Sequence, residues 1–223
     1  DPLYIGMIGS YGNRWANLAM GRCDFLLVLG SRLDIRQTGS DVAAFKGERN
    51  IFHIDCQAGE INNRIKGCRG IVSDLRSFLT SAVRLLRGRT FSKRKEWLDE
   101  IYKLRQTWPD TKESQGVSGI NPNGFMHSLS DASQKAALYV VDVGQHQMWA
   151  AQSLEIGPRQ QFLTSGGMGS MGFALPAAVA AALVVSGRPI SLIAGDGGFQ
   201  HNIQELETVA HHQLPIKMVI LNN

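Results

Sequence analysis

Asp196 stands between glycines at the end of an apolar run, in Gly195-Asp196-Gly197, and Asn222-Asn223 closes the next apolar run. The residues between read as a helix and a returning strand. In a right-handed β-α-β unit the two strand ends are then neighbours. A carboxylate and an amide oxygen side by side suit a hard divalent cation such as Mg2+, which takes oxygen ligands and phosphates. Asn202 is expected to cap the intervening helix with Glu205 three positions on, and the positive end of that helix favours a diphosphate. Gly-Asp-Gly alone is an ordinary turn, and Asn-Asn alone an ordinary strand exit. Their pairing around one helix is what makes Asp196 and Asn223 candidate metal ligands.

A second glycine-rich segment runs from Gly166 to Gly172 and contains a literal G-x-G-x-x-G at Gly167, Gly169 and Gly172. A strand-like run precedes it, an Ala-rich helix follows, and Asp196 ends the next strand. That is the pattern of a dinucleotide-binding turn, so an NAD(P)-binding oxidoreductase is a competing reading. Tight packing of helix on strand explains the same glycines without chemistry, and a non-catalytic α/β binding module is a third reading. His146 follows a strand end, where a lone histidine commonly packs or bonds to backbone. His211-His212 sits at a helix end, where the dipole favours it, and is not read as a metal site. Met168 and Met171 are ordinarily core filler.

The elements that must hold these residues follow from periodicity. Continuous apolar runs at Asp24–Gly30 and Asn50–Asp55 suit parallel strands covered by helices on both faces. A short helix is expected within Gly39–Gly47, and Ser73–Leu86 has the spacing of an amphipathic helix. Trp97, Ile101, Leu104 and Trp108 mark another helix face, ended by Pro109 and followed by the polar loop Asp110–Gly119. Further on, a helix over Gly124–Ala132, a strand over Ala137–Val143, a strand over Gln161–Ser165, a helix over Ala174–Val185, a strand over Ile190–Ala194, a helix over Ile203–His212 and a strand over Ile216–Leu221 are expected. This rhythm predicts an α/β fold of two doubly wound, mainly parallel-sheet domains, at 1–90 and 121–223, joined by a helical linker at 91–120.

Composition removes several classes. The 223 residues, 43% hydrophobic and 19% charged, can bury a core. A net charge of +4 is too mild to indicate nucleic acid. The cysteines Cys23, Cys56 and Cys68 are odd in number and form no C-x-x-C, which argues against a disulfide scaffold or zinc module and for a reducing, cytoplasmic setting. The longest apolar stretch, Gly172–Ala194, is cut by Ser186-Gly187-Arg188-Pro189 and is too short to cross a membrane. The chain opens at Asp1-Pro2 without Met and stops directly after a strand, so it is expected to be an excerpt of something longer.

The paired motif resembles the thiamine diphosphate signature of pyruvate-decarboxylase-like enzymes. Asp142-Val143-Gly144-Gln145-His146-Gln147-Met148-Trp149-Ala150-Ala151-Gln152 and the stretch Leu163–Pro176 resemble those of acetolactate (acetohydroxyacid) synthase large subunits. Pro2–Gly9, Leu29–Asp34 and His53-Ile54-Asp55 are similar to the second part of that family's middle domain. The resemblance implies a thiamine diphosphate- and Mg2+-dependent decarboxylase or carboligase acting on 2-keto acids such as pyruvate, a transferase of branched-chain amino acid biosynthesis. It implies that Asp196 and Asn223 hold the Mg2+, and that Gly197, Gly198, Gln145 and His146 meet the phosphates. Gly169, Ser170 and Met171 would line the rest of the cofactor, with Met171 under its bend.

It implies no catalytic side chain here. The family's activating glutamate comes from an N-terminal pyrimidine-binding domain with no counterpart in this chain, which is therefore expected to be inactive alone. Acetolactate synthases also bind FAD. Arg32 and Arg36 match that motif and can reach a pyrophosphate, whereas Ile35 and Gln37 depart from it. The implied partners are further copies of the chain, as a homodimer or larger homo-oligomer, with no nucleic acid or membrane partner.

Overall fold

The computed structural model describes residues 3–222 apart from 114, 117 and 186. The chain divides into two compact units, Asp1–Pro109 and Asp110–Asn223. The first contains α1 (Arg14–Arg22), β1 (Phe25–Leu29), α2 (Ile35–Thr38), α3 (Val42–Lys46), β2 (Asn50–Asp55), β3 (Arg69–Val72), α4 (Leu75–Leu86) and α5 (Lys95–Thr107). Its strands are parallel, in the order β1-β2-β3. Helices start where an aspartate can satisfy the unpaired amides of a first turn. Asp34 accepts from Arg36 N at 2.9 Å, Asp41 from Ala44 N at 2.8 Å and Asp74 from Ser77 N at 3.0 Å.

The short helix expected within Gly39–Gly47 is α3, and a further helix, α2, precedes it behind the Asp34 cap. One expectation for this unit needs correction. Coverage on both faces of the sheet does not hold for β1. Val28 is buried with Phe45, Ile51 and Ile65, but Phe25, Leu27 and Leu29 on the opposite side are exposed. The helix marked by Trp97, Ile101, Leu104 and Trp108 is α5. Ile101 and Leu104 of α5 bury against Trp15, Ala16 and Ala19 of α1, and Arg22 pairs with Glu100 at 2.7 Å, so α5 packs within the first unit.

The second unit contains α6 (Pro122–Ala132), β4 (Leu138–Val141), α7 (Gln145–Ser153), β5 (Gln161–Thr164), α8 (Ala174–Val184), β6 (Ile190–Gly195), α9 (Asp196–Gln200), α10 (Glu205–His211) and β7 (Ile216–Leu221). Its strands are all parallel, in the order β5-β4-β6-β7. Alternation along β4 and β6 divides the core by the two-residue period of a strand. Leu138, Val140, Leu192 and Ala194 bury against Ala174, Leu175, Ala178 and Ala182 of α8. Tyr139, Val141 and Ile193 bury on the other face, against Met126 of α6 and Ala150 of α7. A sheet covered on both faces needs such uniformly apolar strands, which is why these runs are legible in the sequence.

Candidate functional site

Strand order places the site. From β4 the chain crosses to β5 on one side, and from β6 it crosses to β7 on the other. The carboxyl ends of β4 and β6 therefore flank a topological switch point, where the loops part and leave a crevice. The register is close at that edge: Val141 lies opposite Ile193, and Asp142 N donates to Ile193 O at 2.8 Å. On the far side of β6, Gly195 lies opposite Leu221, so Asp196 and Asn222 leave adjacent strand ends together. Asp196 is exposed. Asn223, the expected second metal ligand, lies outside the described residues.

His146 lies at this switch point. Its ring is 5% exposed and lies so near Gly144 that a Cβ there would fall 2.6 Å from Cε1. The ring donates to the Asp142 main-chain carbonyl, which leaves Nε2 buried and without a hydrogen-bond partner. Such an orphan is costly unless a ligand answers it. Burial pushes the His146 pKa down from its ordinary value, and the Asp142 charge and the carbonyl bond oppose this without overcoming it. Gln145, one residue earlier at the start of α7, is exposed, and Gln147 Nε2 ties α7 to the end of β5 through Thr164 Oγ1 at 2.8 Å.

The sign of the His146 effect on stability follows by linkage. The folded state holds this proton more weakly than the unfolded state does. The contribution of His146 is therefore fully present above the unfolded histidine value, about 6.5, and is lost as pH falls from there towards the folded value. Thermal unfolding of the chain should show stability declining over that window, with a flatter profile in His146→Gln. Identical profiles would refute the burial effect.

The glycine-rich loop after β5 closes another side. Gly169 N donates to Ser165 O at 2.9 Å and Ser170 N to Ser165 Oγ at 3.2 Å, so the loop is a compact turn. Gly169 and Ser170 are exposed, and the half-exposed Met171 reaches Gly197, its Cε 3.9 Å from where a Cβ would lie. Gly198 is buried beneath, against Asp142. His146, Met171, Asp196, Gly197 and Gly198 thus share one edge of the sheet. Arg32 and Arg36 belong to the first unit, where both are exposed and Arg32 lies 4.0 Å from Asp34.

Two sequence expectations change here. The helix predicted over Ile203–His212 is in fact preceded by α9, which starts at Asp196 directly on the strand end, and α10 begins only at Glu205. Asn202 does not cap it with its side chain. Its Nδ2 donates instead to Gly172 O at 2.7 Å, pinning the glycine-rich loop to the turn before α10. The dinucleotide reading also fails on geometry. In that motif the last glycine lets a helix approach its strand, whereas Gly172 precedes α8 and is packed against His201 and Asn202. The preceding strand, β5, is moreover an edge strand, away from the switch point.

The residues fit a metal-held diphosphate. One exposed carboxylate beside a second strand end, open glycine backbone and an unanswered ring nitrogen meet at the switch point. Among the described residues no group of three or more His, Cys, Asp or Glu could hold a metal by itself. A Mg2+ that draws ligands from phosphates and water needs no such group. No helix among the described residues is long and apolar enough to cross a membrane.

Comparison with known proteins agrees with this geometry. Residues 1–82 match the family model described as "Thiamine pyrophosphate enzyme, central domain". Residues 142–223 match "Thiamine pyrophosphate enzyme, C-terminal TPP binding domain". Over its whole length the chain is 37% identical to 38% of the acetolactate synthase large subunit of Cyanidium caldarium. With 99% of its length it is 36% identical to 38% of that of Lactococcus lactis subsp. lactis (strain IL1403). It is also 35% identical over its full length to 39% of the isozyme 2 large subunit of Escherichia coli (strain K12). The chain thus spans under two-fifths of the length of these relatives.

Proposed function

Because the chain belongs to the thiamine pyrophosphate enzyme family, we propose that its second unit holds the Mg2+-diphosphate end of thiamine diphosphate in a carboligase of the acetolactate synthase type. The observation that carries this reading is the switch point itself. The buried His146, with its unpartnered Nε2, and the exposed Asp196 stand at the neighbouring carboxyl ends of β4 and β6. When bound, the cofactor supplies a stabilised carbanion equivalent from a 2-keto acid such as pyruvate.

The chain's own residues have narrower tasks. Asp196 and Asn223 hold Mg2+, and backbone at Gly197 and Gly198 approaches the phosphates. Gln145 and His146 meet the diphosphate from the β4 side, and His146 does so with Nε2 protonated, taking up a proton as the anion arrives. Gly169, Ser170 and Met171 line the adjoining wall. Calorimetric titration is the test: binding of thiamine diphosphate that requires Mg2+ supports the reading, and binding of NADH without metal, or of neither, overturns it.

The rest of the proposal concerns the whole protein. The activating glutamate lies outside this chain, so decarboxylation of pyruvate by the chain alone, supplied with thiamine diphosphate and Mg2+, should stay at background. Turnover well above background would refute this. Arg32 and Arg36 are assigned to the pyrophosphate of FAD, a reading checked by whether flavin absorbance co-purifies with the protein. Gln37, one of the departures from that motif, accepts from Ser31 Oγ at 2.7 Å, so here it braces the turn that carries Arg32. A homodimer or larger homo-oligomer and a cytoplasmic setting complete the proposal, the latter supported by unpaired Cys23, Cys56 and Cys68.

A further inference from the structure

Asp142 has no role in the function proposed above, yet it is the most enclosed ionisable group at the switch point, with 1% exposure. Among the described residues it pairs with no Lys or Arg. Burying a carboxylate without a counter-cation is costly unless its oxygens are answered by donors. Here both oxygens are answered by backbone, and by different segments. Oδ1 accepts from Val143 N at 2.9 Å, at the exit from β4. Oδ2 accepts from Gly172 N at 3.1 Å, across thirty residues of chain, in the loop after β5.

A third segment closes on the same oxygen. A Cβ at Gly198 would fall 2.5 Å from Asp142 Oδ2, so α9 reaches the carboxylate only because it has no side chain there. Gly172 is held in turn by Asn202 through its carbonyl. One carboxylate therefore touches the segments that follow β4, β5 and β6: the exit into α7, which carries His146; the glycine-rich loop, which carries Met171; and the start of α9, which carries Asp196 and Gly197. The same residue's carbonyl receives the bond that orients the His146 ring. An apolar side chain could fill the volume but could not hold two amides from distant segments.

We propose that Asp142 is a positioning residue whose carboxylate clamps these loops together, so that His146 Nε2, the Gly197-Gly198 backbone and Asp196 converge on one diphosphate. This rests on the thiamine diphosphate reading above. Asp142 touches none of the ligand itself; its effect is transmitted through Gly172, Gly198 and His146.

The test uses the complete reading frame that carries this chain, with Mg2+ and thiamine diphosphate as the probes. Asp142→Ala should weaken cofactor binding by about 10–100-fold, the range found when a group that orients a metal ligand is removed. Asp142→Asn keeps an oxygen for Gly172 N and should recover most of that loss. Asp142→Leu fills a similar volume without an acceptor and should lose as much as Asp142→Ala, whereas a residue needed only for its volume would keep its affinity in Asp142→Leu. Gly198→Ala should also weaken binding, because its methyl meets Oδ2, and adding Asp142→Ala should relieve part of that loss. Losses that simply add would overturn the clamp, and so would wild-type affinity in Asp142→Ala. Amide hydrogen exchange at Gly172 is a readout that needs no cofactor: it should speed up in Asp142→Ala and stay slow in Asp142→Asn. If the protein binds no thiamine diphosphate, the functional reading fails, while exchange at Gly172 still decides for or against the clamp.

Discussion

Asp196→Ala should strongly weaken Mg2+-dependent binding of thiamine diphosphate while leaving the fold intact. Asp196 is exposed at the first position of α9, directly beyond Gly195, and that strand end lies beside Leu221 and Asn222. Removing a carboxylate that touches the metal should cost more than removing a group that merely orients a ligand. The affinity loss should therefore reach on the order of 100-fold or more. Asp196→Asn keeps an oxygen but loses the charge, and should fall between the two. Because the side chain is exposed, its loss should change stability by no more than about 0.5 kcal/mol. Calorimetric titration at fixed Mg2+, beside a thermal melt, reads both. Wild-type affinity in Asp196→Ala would remove the metal site, and a collapsed melt would assign Asp196 a structural role instead.

Gly172→Ala has the second large expected effect, and it also separates two ways of reading the glycine-rich loop. A dinucleotide-binding turn accepts alanine at its last glycine, since that position serves only helix–strand packing. Here Gly172 has φ +80°, and an added Cβ would fall 2.7 Å from His201 Cβ and 2.9 Å from Asn202 Nδ2. The left-handed backbone costs a non-glycine residue about 1–2 kcal/mol, and overpacking adds roughly 1–3 kcal/mol. The sum, about 2–5 kcal/mol, should lower the unfolding midpoint of the second unit by roughly 10 °C or more. Circular dichroism melts of the two proteins provide the check. An unchanged midpoint would mean that the loop stands free of the turn before α10.

Much of the architecture was legible because the central strands of the second unit, β4 and β6, are enclosed. The apolar runs at Leu138–Val141, Ile190–Gly195 and Ile216–Leu221 stand out, and α8 announces itself by its alanines. β3 was not anticipated: Arg69-Gly70-Ile71-Val72 is exposed along its length and carries no alternation. α1 was missed as well. Gly21 and Asn17 weaken its pattern, and its buried face, Trp15, Ala16 and Ala19, makes sense only once α5 is laid against it. α9 has two glycines in five residues, a composition no propensity argument would call helical.

The site divides along similar lines. Asp196, Gly197 and His146 could be picked out by residue type and by position after an apolar run. Asp142 could have been found by the same signal, an acidic residue closing a fully apolar strand, but nothing local distinguishes a clamp from a strand exit. That distinction needs Gly172 and Gly198, which lie far along the chain and meet Asp142 only in three dimensions. The linear order of residues was enough to say where the enclosed strands and the strongly patterned helices form, in what succession, and which polar groups stand at their ends, since periodicity and turn chemistry act over a few neighbouring positions. Folding alone settled that β4 lies between β5 and β6, and that one buried carboxylate meets the segments following β4, β5 and β6. Sheet order is chosen by burial of both faces across distant segments, and that free energy belongs to no single stretch of chain.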